Sequence, residues 1–342
     1  MAFEPLRTDR LLIRPVRAAD ADALAARRND PAVAEFQTWV PPYTLERAQA
    51  LVAETASMHG PTDGVWWMAT IATPDDTAVL GDVVVHLTWQ GRTAEIGYTL
   101  ARGAWGHGYA TEAAAALVEY LFVELGVQRV EGTLHPDNRA SAMVLERVGM
   151  LFEGHTKGSF WVGDVNSDDW HYGMTRADWQ AWQRRPCTPP DTVELVEIDD
   201  GNLDDALELD THRSQHDMVA PVSISLAEAL VASTTARRRV RAPWIRAVRA
   251  DDTIVGFVML DRSDEHESYL WRLLVDRKHQ RRGIGRRVLE LVVEQSRAWG
   301  DTSMTVSWVP GKGSPEPLYV GHGFTPTGVV HHGEVQGRLV FD

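Results

Sequence analysis

The chain has 342 residues, of which 44 % are hydrophobic and 24 % are charged, a composition typical of folded domains and unlike that of disordered chains. At roughly 150 residues per domain, this length predicts about two domains. The 34 Lys and Arg against 48 Asp and Glu give a formal net charge of −14, which argues against a general nucleic-acid binder because phosphate contacts need a basic surface. The acidic composition is compatible with a cationic partner. It is equally compatible with an acidic surface that only keeps the protein soluble.

Targeting and metal-binding signals are missing from the sequence. No stretch approaches the ~18 uninterrupted apolar residues of a membrane-spanning helix, and the first ten residues lack the pattern of a secretory signal. Cys187 is the single cysteine, so no intramolecular disulfide is expected. No histidine pair stands at metal-ligand spacing with a cysteine or carboxylate set. The sequence therefore predicts a cytoplasmic protein with no metal and no membrane partner.

The first half of the chain predicts a mixture of strands and helices. The predicted elements cover 11–16, 19–28, 45–58, 67–71, 79–85, 94–100, 111–125, 129–134, 141–148 and a closing hairpin over 151–174. Hairpins mixed with single helices are typical of an α+β sheet flanked by helices, and not of an alternating βαβ array.

A proline-rich segment, 184–192, then predicts a linker, because three prolines within five residues disfavour both helix and sheet. After it the order of predicted elements starts again, with three glycine landmarks repeating at nearly constant spacing. Gly81 and Gly256 are 175 positions apart, as are Gly108 and Gly283, and Gly149 and Gly323 are 174 apart. The pattern predicts an internal duplication with domains over 1–183 and 193–342.

In each copy a glycine-rich segment, 106–110 or 281–285, stands between a strand and a helix. Such glycines either make a tight turn or let the unpaired N–H groups of the first helical turn face an anion. Arg281, Arg282, Arg286 and Arg287 lie at the positive end of the second helix dipole, which is unfavourable unless an anion binds there. A Walker motif and a dinucleotide fingerprint are both incomplete. The second copy therefore predicts a polyphosphate ligand of another kind.

The motif Gln280-x-x-Gly283-x-Gly285, followed by Leu318-Tyr319-x-x-x-Gly323-Phe324, resembles the GNAT superfamily of acyl-CoA-dependent N-acetyltransferases. The second copy, 193–341, is most similar to the spermine/spermidine acetyltransferase branch. The first copy, 3–182, resembles the ribosomal-protein N-terminal acetyltransferase branch through Trp105-Gly106-His107-Gly108-Tyr109. The resemblance implies two tandem GNAT domains, each a mixed, mostly antiparallel sheet flanked by helices, and acetyl-CoA as co-substrate.

The resemblance also implies where acetyl-CoA binds, at the glycine-rich segments and at the end of the preceding strand. The implied residues are Leu100, Ala101, Gly106, His107, Gly108, Tyr109, Ala110, Thr111 and Asn138 in the first copy, and Leu274, Val275, Gln280, Arg281, Arg282, Gly283, Ile284, Gly285 and Arg286 in the second. Backbone N–H groups at the strand ends would polarise the thioester carbonyl. Trp105 departs from the Gln or Arg that is commonest at its position in the superfamily.

Four side chains are the candidates for catalysis. By resemblance, Tyr319 donates a proton to the departing thiolate, although a buried aromatic residue can also be purely structural. Leu145 stands at the corresponding position of the first copy. Glu267 and Glu95 are candidates to bind or deprotonate the amine, or else form cross-strand ion pairs. Ser141 would hydrogen-bond near the sulfur, or cap a helix.

The expected function is transfer of an acetyl group to a primary amine of a small molecule, such as a polyamine or an amine antibiotic. A peptide or protein N-terminal acetyltransferase is an alternative, as is an acyl-CoA-binding sensor with one or both domains silent. The second copy is expected to carry most of the amine acetylation, because it has both Gln280 and Tyr319. Either a monomer with two pseudo-symmetric domains or a homodimer fits this organisation.

Overall fold

The computed structural model describes residues 2–231, 243–262 and 266–341. The chain forms two compact units, Met1–Gln183 and Arg184–Asp342. Each unit contains one mixed, mostly antiparallel sheet with helices on both faces, so the α+β architecture expected from the sequence is confirmed. Among the described residues, no helix is both long enough and apolar enough to cross a bilayer.

The first unit is built on an eight-stranded sheet. Its strands are β1 (Leu6–Arg7), β2 (Leu12–Pro15), β3 (Trp66–Ala72), β4 (Val79–Thr88), β5 (Thr93–Leu100), β6 (Arg129–Leu134), β7 (Leu151–Val162) and β8 (Val165–Thr175). They lie in the order β1-β2-β3-β4-β5-β6-β8-β7. Its helices are α1 (Ala21–Arg28), α2 (Pro31–Ala34), α3 (Leu45–Ala56), α4 (Tyr109–Val123), α5 (Arg139–Arg147) and α6 (Arg176–Arg184).

Two apolar clusters hold the helices of the first unit against its sheet. The larger cluster joins α4 and α5 to the strands through fully buried residues such as Leu117 and Leu121. A second cluster joins α1 and α3 to Met68 of β3 through Leu24 and Val52. Burial of such side chains stabilises the fold by roughly 1.5–3 kcal/mol each relative to an exposed position.

The second unit is built on a seven-stranded sheet. Its strands are β9 (Val193–Val196), β10 (Trp244–Ala250), β11 (Thr253–Arg262), β12 (Glu267–Val275), β13 (Ser303–Trp308), β14 (Thr325–His331) and β15 (Glu334–Val340), in the order β14-β15-β13-β12-β11-β10-β9. Its helices are α7 (Leu203–Leu207), α8 (Val222–Leu230), α9 (Ile284–Ala298) and α10 (Glu316–Gly321). One apolar cluster contains residues of α9 and α10, and another contains residues of α8.

The segment predicted to be a linker makes hydrogen bonds to the second unit. The backbone N–H groups of Asp191 and Thr192 donate to Asp251 Oδ1 at 2.9 and 3.1 Å. The carbonyl of Thr188 accepts from Arg282 Nε at 2.7 Å. These bonds attach the second half of the proline-rich segment to two turns of the second unit, one between β10 and β11 and one before α9.

Each sheet contains one pair of parallel strands, and in both units the two strands are hydrogen-bonded over only part of their length. Strands β5 and β6 are paired only from Thr93 with Arg129 to Glu95 with Glu131, although β5 continues to Leu100. Strands β12 and β13 likewise pair only as far as Leu270, five residues before the end of β12. Each unit therefore has a gap between its parallel strands, where backbone groups of the longer strand have no strand partner.

The repeated glycines Gly81 and Gly256 have the same steric cause in both units. A Cβ at Gly81 would lie 2.2 Å from the carbonyl oxygen of Thr99, and a Cβ at Gly256 would lie 2.5 Å from that of Leu274. Both contacts are closer than real Cβ atoms tolerate. The two glycines are thus required by the close approach of the strand that leads to each gap.

Candidate active sites

The glycine-rich segments form the same backbone turn in both units. Gly106 and Gly108 both have a φ of 81°, and the equivalent Arg281 and Gly283 have φ values of 63° and 83°. Gly108 and Gly283 immediately precede α4 and α9. In this left-handed conformation the chain leaves the first N–H groups of each helix without backbone partners, which suits an anion.

The first residue of each segment fixes the turn to the strand before it. Trp105 Nε1 donates to the carbonyl of Leu100 at 3.0 Å, and Gln280 Nε2 donates to the carbonyl of Val275 at 3.0 Å. Both donors lie five residues after their acceptors. Trp105 therefore does in the first unit what Gln280 does in the second, despite its different side chain. Gln280 also exchanges hydrogen bonds with Gln215.

Arg10 supplies a cation beside the turn of the first unit, a role that sequence reasoning missed. Its Nη1 donates to the carbonyl of His107 at 2.9 Å, and its Nη2 lies 3.5 Å from the position of a Cβ at Gly108. Arg10 also pairs with Glu112, which accepts a hydrogen bond from Thr8. Partial burial opposes ionisation of Glu112, but the Thr8 and Arg10 hydrogen bonds hold its pKa below the usual range.

The sequence signal for Arg10 is the Thr8-Asp9-Arg10-Leu11 segment, which is a further mark of the family resemblance. Nothing in the sequence indicates that this segment contacts a helix start about a hundred residues later. The remaining residues of this turn pack around it. His107 stacks on Tyr109 at 5.5 Å between ring centroids, and the Arg10 guanidinium lies 5.0 Å from the Tyr109 ring. Ala110 and Thr111 form the first turn of α4.

In the second unit the arginines at the helix start divide into two groups. Arg282 is buried, and its guanidinium is used within the unit by the Thr188 carbonyl and by His279 Nδ1 at 2.9 Å. Arg281 and Arg286 are exposed, and among the described residues neither forms a hydrogen bond or an ion pair. The two exposed arginines are therefore the available cations at this site.

The first helical residues of α9 are held close to the neighbouring helix α10. Ile284 is buried in the apolar cluster of this unit. A Cβ on Gly285 would lie 3.3 Å from Leu318 of α10, a contact tighter than most real Cβ atoms make. Gly285 thus permits the close approach of α9 and α10, the helix that carries Tyr319.

The backbone N–H groups implied in thioester binding point in two directions, because successive residues of a strand direct their N–H groups to opposite sides. Ala101 N–H donates to Leu80 O at 2.8 Å, and the equivalent bond recurs in the second unit. Because antiparallel hydrogen bonds alternate, Leu100 directs its N–H away from β4 and towards the gap, as Val275 does in the second unit. Ala101 and Leu274 have their backbone groups engaged with the neighbouring strand. The structure thus leaves one strand-end N–H facing each gap.

A cavity of about 880 Å³ opens in the first unit beside this gap. Its wall includes Glu95, which lies in a row of directly paired residues across the sheet. In that row His86 of β4 faces Glu95 of β5, and Glu95 faces Glu131 of β6. Among the described residues, the Glu95 carboxylate has no hydrogen bond or ion pair. Burial, followed by repulsion from Glu131, raises the pKa of Glu95 above its usual range.

Ser141 and Asn138 lie in the wall of the same cavity, at the start of α5. Asn138 Oδ1 accepts from the Ser141 N–H at 3.1 Å, so Asn138 is the helix cap and Ser141 is not. The Ser141 hydroxyl lies 2.9 Å from the Tyr98 hydroxyl, which also contacts the Ser141 carbonyl at 2.9 Å. Burial raises the pKa of Tyr98, so that its phenol stays protonated. Tyr98 is a further polar residue that sequence reasoning missed.

Tyr319 is buried in the second unit, on α10. Its ring lies 5.8 Å from that of Trp308 and 5.9 Å from that of Phe324. Its hydroxyl makes no hydrogen bond to any residue that the structure describes. Burial, with a smaller contribution from Tyr269, raises the pKa of Tyr319. The phenol is therefore protonated at neutral pH, as a proton donor must be.

Glu267 has a different environment from Glu95. Its carboxylate pairs with Arg338 at 2.9 Å and accepts from Ser303 Oγ at 3.0 Å. By register, the residue of the second unit at the place of Glu95 is Tyr269, which faces Thr305 as Glu95 faces Glu131. The two candidate carboxylates thus occupy different positions in their sheets, and only Glu267 has a cationic partner among the described residues.

Comparison with known proteins agrees with this architecture. A family model described as an acetyltransferase (GNAT) domain matches residues 10–151, and one described as the acetyltransferase (GNAT) family matches residues 211–313. The uncharacterized N-acetyltransferase YoaA of Bacillus subtilis is 30 % identical over 153 residues, which cover 44 % of this chain and 85 % of YoaA.

Two further relatives extend the comparison. The uncharacterized N-acetyltransferase p20 of Bacillus licheniformis is 31 % identical over 156 residues, covering 44 % of this chain and 85 % of p20. A crystal structure of a GNAT-family acetyltransferase from Bacillus anthracis is 26 % identical with a TM-score of 0.46, covering 50 % of this chain and 98 % of that protein.

Proposed function

Because the chain belongs to the GNAT family and carries two acetyltransferase domains, we propose that it transfers an acetyl group from acetyl-CoA to a primary amine of a small molecule, such as a polyamine or an amine antibiotic. We assign the amine to the cavity of the first unit. The observation that carries this assignment is Glu95, a carboxylate without a polar partner among the described residues, on the wall of an 880 Å³ cavity. This assignment reverses the expectation from sequence that the second unit dominates.

The chain's own residues fit both halves of the reaction. The left-handed turns and the first N–H groups of α4 and α9 suit the phosphates of acetyl-CoA, with Arg10 beside one turn and Arg281 and Arg286 beside the other. The N–H of Leu100 faces the gap and suits the thioester carbonyl oxygen. Acetyl-CoA supplies the activated acyl group and a thiol leaving group.

Glu95 would manage the proton of the amine. An alkylamine with an ordinary pKa near 10.4 is neutral in only roughly one molecule of a few thousand at pH 7. The raised pKa of Glu95 makes it a better proton acceptor than an ordinary glutamate. After the amine proton moves to Glu95, the nitrogen forms a bond to the carbonyl carbon. As the carbon–sulfur bond breaks with its electron pair on sulfur, the nitrogen gives up its second proton and the thiolate takes one up. The hydroxyls of Tyr98 and Ser141, whose oxygens lie 2.9 Å apart, would relay this proton.

The test is acetyl-CoA-dependent thiol release with a panel of amines, followed by the Glu95→Gln variant. Losing a general base should lower kcat by about a hundredfold to ten-thousandfold. Glu119→Gln is the matched control, because Glu119 is exposed on α4 and outside the cavity. Tyr319→Phe should leave turnover of the same amine within about twofold.

Three results would contradict the proposal. Release of thiol only with peptide N-termini would favour the protein-directed alternative. Binding of acetyl-CoA with no turnover for any amine would favour a sensor. A large loss in Tyr319→Phe with full activity in Glu95→Gln would place amine acetylation in the second unit.

A further inference from the structure

The cavity of the first unit has an unusual charge balance for a small-molecule site. Among the described residues, none that lines it is a lysine or an arginine, whereas Glu35, Glu95 and Asp169 all lie in its wall. Aromatic side chains complete the wall, including Phe36, Trp66 and Phe160. Aromatic faces and carboxylates together attract cations, and a lining without lysine or arginine offers no permanently charged partner to an acceptor's carboxylate.

Asp169 is the second acidic point in this wall, and it lies on β8, apart from Glu95 on β5. It is 7 % exposed, and Ser159 Oγ donates to its Oδ2 at 2.8 Å. Among the described residues, no cationic side chain pairs with Asp169, and its Oδ1 accepts no hydrogen bond. A carboxylate this deeply buried is costly unless a positive charge compensates it.

The strand alternation explains why Asp169 faces the cavity. Its neighbours Trp170 and Tyr172 pack in the large apolar cluster under α4 and α5. Because successive side chains of a strand point to opposite faces, Asp169 and His171 lie on the other face, with Glu131 and Glu95. Asp169 and Glu95 are near enough for repulsion between their charges to act on Glu95. Two carboxylates on different strands of the sheet thus face one cavity.

We propose that the acceptor carries a second cationic group, which binds Asp169 between the aromatic side chains while the reacting amine lies at Glu95. This inference rests on the proposed function and narrows its substrate to diamines and larger polycations. The proposal excludes acceptors whose carboxylate would lie beside Asp169, in the place of the second ammonium. The partly exposed ring of Phe160, on the same hairpin as Asp169, offers its face to the alkyl chain or to the cation.

The test compares amines of similar length that differ only in the distant group. Putrescine has a second ammonium, butylamine has none, and γ-aminobutyrate has a carboxylate. In the wild-type protein, kcat/KM should fall in that order, with putrescine at least about tenfold above butylamine. Equal kcat/KM values for putrescine and butylamine would overturn the proposal.

The Asp169→Asn variant should raise KM for putrescine about thirtyfold, the scale of losing one buried charge pair, with butylamine changed less than twofold. Asp164→Asn is the control, because it removes the same charge from the same hairpin outside the cavity. An equal loss with both amines would mean that Asp169 is only structural, and no change with either would mean that it does not bind substrate. Both results would overturn the proposal.

A binding measurement separates this inference from the proposed function. If wild-type protein acetylates butylamine but does not prefer putrescine, the proposed function stands and the second cation site is wrong. If no amine is turned over, calorimetry with putrescine decides. Binding that is lost in Asp169→Asn and kept in Asp164→Asn supports the site even then, and absence of binding to the wild-type protein overturns it.

Discussion

The two units share the turn at the start of their long helix and differ in the groups that would handle protons. Trp105 and Gln280 make the same hydrogen bond, and Gly108 and Gly283 have φ values of 81° and 83°. The first unit places Glu95 beside a cavity, whereas Tyr269 holds that register position in the second unit. The geometry of the turn is thus the same in both units, while the side chains available for proton transfer differ.

The candidate proton donors of the two units also differ, since the second unit has a tyrosine where the first has a leucine. Tyr319 of the second unit has a buried, protonated phenol, and the sequence places Leu145 at the corresponding position of the first unit. Leu145 packs against Gly132, where an added Cβ would lie 3.0 Å from it. In the first unit the phenol comes from β5, as Tyr98, and meets Ser141. The two units thus carry their buried phenols on different elements, β5 in the first unit and α10 in the second.

The largest effect that tests this comparison is on acetyl-CoA binding. Gly108→Val and Gly283→Val each place a β-branched residue in a left-handed conformation, which costs roughly 1–2 kcal/mol or more. Each should raise the Kd of its own unit about tenfold or more and leave the other unit unchanged. Titration calorimetry of the whole chain measures this, with Gly103→Ala and Gly321→Ala as controls because both glycines have open space and ordinary φ. Loss of both binding events from one substitution would contradict two independent loops.

A smaller effect concerns the pH dependence of the first unit. Burial and then repulsion from Glu131 raise the pKa of Glu95, so its basic form appears at a higher pH than for an ordinary glutamate. In the wild-type protein, the rising limb of the plot of kcat/KM against pH therefore lies at a higher pH than an ordinary glutamate would give. Glu131→Gln removes the repulsion and should move this limb to lower pH.

Glu153→Gln is the control for that shift. Glu153 pairs with Arg129, as Glu131 does, so both variants remove one carboxylate from the same arginine. Of these two carboxylates, only Glu131 acts on the ionisation of Glu95. An unmoved limb in Glu131→Gln, or an equal movement in Glu153→Gln, would show that Glu95 is not the group that the profile reports.

The repeat makes much of the fold predictable from sequence, because glycines required by backbone geometry keep their spacing. The nearly constant offset is enough to locate both glycine-rich turns and both strand ends. A bulge defeats the same reasoning at Glu95, the carboxylate proposed to accept the amine proton. Trp271 has no partner on β11, since Met259 pairs with Arg272 and Leu260 pairs with Leu270. One extra residue shifts the register beyond it, which a sequence offset cannot reveal.

Side-chain direction is the other property that the sequence does not determine. The four arginines at one helix start look equivalent in the sequence, yet Arg282 turns inward to Thr188 and His279. Asn138 was expected to contact the cofactor, and its oxygen caps α5. Arg10 reaches the turn of the first unit across 97 positions of sequence. The contacts of Arg282 with Thr188 and of Arg10 with His107 join residues distant in sequence, which no local pattern encodes, whereas the Asn138 cap is local.

The smallest predicted effect concerns the hydrogen bond that the two turns have in common. Trp105→Phe keeps an aromatic ring but removes the donor to the Leu100 carbonyl, which should lower the free energy of unfolding of the first unit by about 1 kcal/mol. For a unit of this size that is a decrease of roughly 2–4 °C in Tm by calorimetry. Trp161→Phe is the control, because Trp161 is 63 % exposed on β7.

The rescue of that loss tests the equivalence of the two turns most directly. Trp105→Gln supplies a side-chain amide at the position where the second unit uses Gln280, and Gln280 reaches its strand-end carbonyl at 3.0 Å. If the two turns have the same geometry, Trp105→Gln should recover part of the Tm that Trp105→Phe loses, although the smaller side chain buries less apolar surface. A Tm for Trp105→Gln below that of Trp105→Phe would mean that packing of the indole, and not its hydrogen bond, holds the first turn in place. The common geometry would then be reached by two different interactions.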